Sequence, residues 1–215
     1  MTRPRLVVAT RSEHKLRELR QLLRLDGVDL VSLDDLGIPG EPVEDGRTFE
    51  ANAAIKARFA ARASRLPSLA DDSGLEVDAL AGGPGVRTRR YAGESATDAD
   101  NNAKLLRELE GLPPGLRGAR YVCVLALALP ERSGARGGLP LILRRGTCRG
   151  RIAVAERGSG GFGYDPLFEP LGEPPGGRTL GLWSAEEKNR ISHRSRAARS
   201  MTPVLASLEL GRPGR

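Results

Sequence analysis

The sequence is short of cysteine, aromatics and long apolar runs, and each shortage closes off a class of protein. Its two cysteines, Cys123 and Cys148, lack metal-ligand spacing, so neither a disulfide framework nor a zinc site is expected. Aromatics make up 4% of the 215 residues, so aliphatic and alanine packing must build the core. No run approaches the roughly 20 apolar residues that a membrane helix needs. The opening apolar stretch, Leu6-Val7-Val8-Ala9, is too short for the core of a signal peptide and reads as a strand. A soluble, cytoplasmic protein with no membrane partner is the expectation. Lysine is scarce as well. Of 34 basic residues only Lys15, Lys56, Lys104 and Lys188 are lysines, leaving 30 arginines. Where arginine has taken the generic basic positions, a surviving lysine marks a place for a compact point charge.

What is present points to an enzyme handling anions. The net charge is +7, which suits nucleic acid or an anionic small substrate. The basic residues are dispersed, with no run of five or six like charges, so no nucleic-acid partner is expected. With 39% hydrophobic residues the chain can bury a real core, and its length fits a single domain over 1–215, built as two lobes around one sheet.

Apolar periodicity organises the first half as βα units. A strand is expected at 5–9 and a polar turn at 10–15. A helix carrying Leu16, Leu19, Leu22 and Leu23 follows, then a strand at 28–32. A loop spans 37–46, an alanine-rich helix 48–65, and a short strand at 68–70 delivers Asp71 and Asp72 to a Ser73-Gly74 turn. Another helix is expected at 97–110. The second half reads as strands at 121–129, 139–145 and 149–155, with a hairpin loop at 130–138. A glycine-rich loop covers 158–166, and Ser184-x-x-Glu187 forms a capping box. A C-terminal helix runs over 192–210, bent at Pro203, between frayed termini at 1–4 and 211–215. The fold class is α/β: a mixed central sheet with helices on its faces, a second lobe of strands, and a ligand cleft between the lobes.

The adjacent carboxylates Asp71 and Asp72 are the most informative pair. Oxygen ligands at a strand end suit Mg²⁺, which keeps several waters and shares them with substrate phosphates. A solvated turn is the alternative, because Asp, Ser and Gly are also ordinary turn residues. Glu44 could add a further carboxylate, in competition with Glu41, Asp45 and Glu50. Thr10-Arg11-Ser12-Glu13-His14-Lys15 joins a strand to a helix start, where free N–H groups favour anions, and Lys15 adds a charge for phosphate. Asn52 and Lys56 share a helix face, either turned into a ligand site or exposed. In Gly158–Pro166, Phe162 or Tyr164 could stack a planar base, beside Gly163, and Asp165 could accept from ring N–H groups. Lys188 lies on the capped helix, and His193 with Arg194 forms a donor pair suited to carbonyl oxygens or phosphate. Together these describe a site for a nucleoside triphosphate with Mg²⁺.

The ordered motifs resemble the Ham1/RdgB-type inosine triphosphate pyrophosphatases, or XTP/dITP diphosphatases. The resemblance is carried by the opening turn with Lys15 and by Phe49-Glu50-x-Asn52-Ala53-x-x-Lys56-Ala57. It continues in Ala70-Asp71-Asp72-Ser73-Gly74-Leu75-x-Val77-Asp78, in Pro84-Gly85-Val86 and in Arg90-Tyr91-Ala92-Gly93. It ends in Gly160-Gly161-Phe162-Gly163-Tyr164-Asp165-Pro166 and Glu186-Glu187-Lys188-x-x-Ile191-Ser192-His193-Arg194. It implies an elongated two-lobed fold with a mixed sheet and a nucleotide cleft, a homodimer, and Mg²⁺-dependent hydrolysis of ITP, dITP and XTP to monophosphate and pyrophosphate. It also implies Asp72 as catalytic residue and metal ligand, with Ser73, the 10–15 turn, the Phe162–Asp165 loop, Lys188, His193 and Arg194 on the substrate. Arg11 and Ser12 stand where the family usually has Gly and Asn, and Arg87 and Arg89 where it has Tyr and Ala. A Maf-like pyrophosphatase of different base preference, or a non-catalytic nucleotide or RNA binder, is the alternative.

Overall fold

The computed structural model describes residues 3–130 and 139–208. The hairpin loop expected at 130–138 and the outer residues of both termini lie outside that description, apart from Pro130, Arg3 and Pro4. The elements follow in the order β1 (Arg5–Val8), α1 (Glu13–Leu23), β2 (Asp29–Ser32), α2 (Phe49–Ser64), β3 (Ser68–Val77) and α3 (Asp98–Glu108). Then come β4 (Gly118–Ala128), β5 (Leu141–Ile152), β6 (Phe168–Pro170), α4 (Ala185–Ile191) and α5 (His193–Ser207). The strands form one six-stranded sheet in the order β2-β1-β3-β4-β5-β6. It is mixed: β1 runs parallel to β2 and β3, and β5 antiparallel to β6.

The helices begin where side chains can satisfy their free N–H groups. Ser12 caps α1, Thr48 caps α2, and Thr97 caps α3 in a capping box with Asp100. The box read from Ser184 and Glu187 opens α4, with Ser184 N donating to Glu187 Oε2 at 2.9 Å. Pro203 lies inside α5.

The chain divides into two compact units, each with its own core. The first comprises Met1–Asp72, Cys123–Gly146 and Arg194–Arg215. Its core joins Leu6 and Val8 of β1, Leu19 and Leu23 of α1, Leu69, Leu125 and Leu127 to Ala197, Met201 and Leu205 of α5. The second comprises Ser73–Val122 and Thr147–His193. Its core gathers Leu75 and Val77, Leu105 and Leu109, Tyr121, Ile152, Leu167 and Phe168. The run from Val122 to Ala128 in β4 is buried without alternation, as in a strand covered on both faces.

Two strand readings need correction. β3 does not stop at the carboxylates but continues through Asp71-Asp72-Ser73-Gly74 to Val77. Turn propensity is overridden because buried cations balance the acids, so the backbone stays extended. The acids still lie where a partner strand ends: β1 pairs only with Ser68 and Leu69. The strands expected at 139–145 and 149–155 are one strand, β5. Gly150 does not break it. A Cβ there would collide with the Glu169 carbonyl and the Phe168 ring, so glycine admits the close approach of β6. The three-residue β6 itself carries no periodic signal.

Candidate active site

In the first unit, four charged side chains meet around the two carboxylates. Lys56 Nζ lies 2.8 Å from Asp72 Oδ1 and 2.9 Å from Glu44 Oε2. Lys15 Nζ lies 3.1 Å from Asp71 Oδ1, and Arg194 Nη2 3.3 Å from Asp71 Oδ2. Of the acids that competed for the role beside Asp72, Glu44 shares Lys56 with it. Glu41 pairs with Arg11 and Glu50 with Arg145. The Asn52–Lys56 face is turned inward. Asn52 is buried and its Oδ1 accepts from Gly46 N at 2.8 Å, which ties the segment carrying Glu44 to α2.

The two neighbouring acids are tuned in opposite directions. Burial resists ionisation of Asp71, but Lys15, Arg194 and Lys56 outweigh it and hold the carboxyl well below the usual range. Burial pushes Asp72 up, against the pull of Lys56 and Lys15. Lys56 is itself disfavoured by burial, yet Asp72 and Asp71 keep it above its ordinary value. A depressed carboxylate stabilises the fold above the ordinary value of 3.8, and that contribution is lost as pH falls toward the folded-state value. Without added divalent metal, Asp71→Asn should therefore cost stability near neutral pH, and the deficit should shrink below pH 3.8. Urea unfolding at several pH values checks this; a deficit independent of pH contradicts it.

The opening turn is held by its own side chains. Thr10 Oγ1 accepts from Ser12 N at 3.1 Å, and Ser12 Oγ from Lys15 N at 3.4 Å. Glu13 is exposed in the first turn of α1, and the His14 side chain lies outside the described residues. Arg11 is engaged elsewhere: its guanidinium bonds Asp34, Glu41 at 3.2 Å, and the carbonyls of Ile38 and Gly40 at 3.1 and 2.8 Å. Arg11 therefore clamps the 34–41 segment.

The two members of the donor pair, His193 and Arg194, have different surroundings. The Arg194 side chain is 1% exposed, with Nη1 2.5 Å from Glu18 Oε2 and its other nitrogens on Asp71. It is committed to two carboxylates, Asp71 and Glu18. His193 belongs to the second unit, where its ring stacks on Tyr121 at 4.8 Å and 12°.

The glycine-rich loop of the second unit presents a ring on a rigid base. Phe162 is 40% exposed, and Lys188 Nζ lies 4.3 Å from its ring centre. Asp165 is buried, with Oδ2 accepting from Lys188 Nζ at 2.6 Å and from Phe162 N at 2.9 Å. Tyr164 is buried and donates to the Thr88 carbonyl at 2.8 Å, so it anchors the loop. Gly161 has φ +78°, and a Cβ on it would collide with the Asp165 carboxylate. Gly163 N donates to Asp98 Oδ2 at 2.7 Å. Ser73 follows Asp72 in β3 and is half-buried. Sequence reasoning missed Glu18, Asp98 and Tyr121, because their partners lie far away in the chain.

Among the described residues, no cluster of three or more His, Cys, Asp or Glu side chains could hold a metal ion. The residues fit a cation shared with substrate nonetheless. Glu44 and Asp72 already converge on one cation, the Lys56 ammonium. Two carboxylates leave the remaining ligands to water and phosphate, the usual arrangement for Mg²⁺.

The sequence of the Ham1 family matches this chain over residues 6–204. The dITP/XTP pyrophosphatase of Lactobacillus acidophilus is 45% identical over 206 residues, 95% of this chain and 98% of that protein. That of Geobacillus kaustophilus is 48% identical over 192 residues, 89% of each chain. The solved structure of a HAM1 protein from Coxiella burnetii aligns with a TM-score of 0.83 at 39% identity, over 95% of this chain and 99% of that one.

Proposed function

The chain belongs to the Ham1 family, and on that premise we propose that it hydrolyses dITP, ITP and XTP to the monophosphate and pyrophosphate, with Mg²⁺. Relatives named dITP/XTP pyrophosphatase support the reaction. The observation that carries the reading is the buried Asp72, raised by burial and sharing the Lys56 ammonium with Glu44. Glu44 and Asp72 would hold Mg²⁺, which when bound supplies positive charge to the triphosphate oxygens. Asp72 Oδ1 holds Lys56, so Oδ2 is the atom to orient a water and take its proton. The water oxygen bonds to the α-phosphorus as the bond to the β-phosphate oxygen breaks, and pyrophosphate leaves. Lys56 and Lys15 offset charge on the polyphosphate. Asp71 and Arg194 hold Lys15 and the start of α5 in place. Phe162 stacks the purine, with Asp165, Lys188 and His193 around it. A homodimer and a cytoplasmic location belong to the same proposal; light scattering tests the first.

A nucleotide panel with Mg²⁺ tests the reading. ITP, dITP and XTP should exceed GTP well, with GTP above or near ATP. Equal rates on all bases would overturn the assignment. Tight salt-sensitive binding without turnover would indicate a binder instead. Phe162→Ala should raise KM for ITP roughly 5- to 100-fold, because base stacking on an aromatic side chain is lost. An unchanged KM removes Phe162 from the base site.

A further inference from the structure

We propose that Tyr121 is the positioning residue that holds Asp165 and His193 together, and thereby sets discrimination among purine bases. The inference rests on the function proposed above. Tyr121 is the fourth residue of β4, inside the core of the second unit and 7% exposed. Three side chains hold it, and the Tyr164 backbone lies against its hydroxyl. Its ring meets Phe168 at 4.7 Å with a 48° tilt and lies nearly flat on His193 at 4.8 Å and 12°. Its hydroxyl donates to Asp165 Oδ1 at 3.3 Å. A tyrosine offers a rigid apolar body with one polar tip, and here each part has a separate task.

The tip acts on Asp165. Oδ2 of that carboxylate already takes Lys188 Nζ and Phe162 N. Among the described residues, Oδ1 takes the long bond from Tyr121 alone. With a donor on each oxygen the carboxylate plane is fixed. The ring acts on His193, which is 4% exposed at the start of α5. A flat contact on one face fixes the imidazole plane and so the direction of its ring nitrogens. One side chain thus sets the orientation of two polar groups that come from distant parts of the chain.

Two variants separate these tasks. Tyr121→Phe removes only the hydroxyl, and Tyr121→Leu removes the flat platform but keeps an apolar side chain. Steady-state kcat and KM are measured for ITP and GTP, together with inhibition by inorganic tripolyphosphate, a ligand without a base. Tyr121→Phe should raise KM for ITP about 3- to 10-fold, the weight of one hydrogen bond, while kcat and tripolyphosphate inhibition stay as in the wild type. Tyr121→Leu should in addition narrow the ITP/GTP preference. If Tyr121→Leu does not fold, Tyr121→Phe decides alone. An unchanged KM for ITP, or a tripolyphosphate inhibition constant that shifts by the same factor, overturns the inference while the functional reading stands. A wild-type protein with no ITP turnover overturns both.

Discussion

Asp72→Asn should abolish turnover without unfolding the protein. The amide keeps the shape of the side chain but can neither take a proton from water nor hold a cation. Loss of a placed catalytic base costs roughly 10²–10⁴-fold, and a weakened metal site adds to that. The fold should survive for a stated reason. Burial already disfavours the charge on Asp72, and Lys56 keeps Glu44 at 2.9 Å once Asp72 is neutral. No buried cation is stranded. Thermal unfolding run beside the kinetics separates the two effects. A folded Asp72→Asn protein with near-normal activity would sink the mechanism. Asp71→Asn should be milder in turnover, since Asp71 acts through Lys15 and Arg194.

Arg194→Ala should cost stability first and activity on every base by one common factor. The guanidinium is buried between Glu18 and Asp71. Removing it leaves Glu18, whose Oε1 has no hydrogen-bond partner among the described residues, without its ion pair to Arg194, and leaves Asp71 its pair with Lys15. Breaking a buried pair by deleting one partner costs about 3–5 kcal/mol. In a chain of this size each kcal/mol lowers Tm by about 2–4 °C. Arg194→Lys should fall between, because a point charge cannot span two carboxylates as a planar fork does. The ITP/ATP ratio should stay unchanged in both variants. A narrowed ratio with wild-type stability would return Arg194 to base reading.

That reassignment shows where sequence reading stops. Local signals were faithful to local structure: the Ser184 box does cap a helix, the helices expected at 48–65 and 97–110 do form, and continuous apolar runs do mark β1, β2 and β4. The carboxylate pair, Lys15, Lys56 and the Phe162–Asp165 loop were legible as motifs because composition concentrates rare residue types there. Which of them pair was not legible. The ion pair between Arg194 and Asp71 spans 123 residues, and no spacing rule reaches across that distance. A donor pair adjacent in sequence therefore proved to serve two different partners. The same limit explains β3. Asp-Asp-Ser-Gly is turn-like on its own, and only the distant cations let a strand run through it. Arg11 is the converse case. It departs from the usual glycine of the family turn, and its clamp on Asp34, Glu41 and two carbonyls gives that departure a structural role.

The most direct test of the mechanism is the identity of the first products from ITP with Mg²⁺, in the absence of any inorganic pyrophosphatase. Attack at the α-phosphorus predicts IMP and pyrophosphate in equal amounts from the earliest time point. Primary release of IDP and orthophosphate would contradict it.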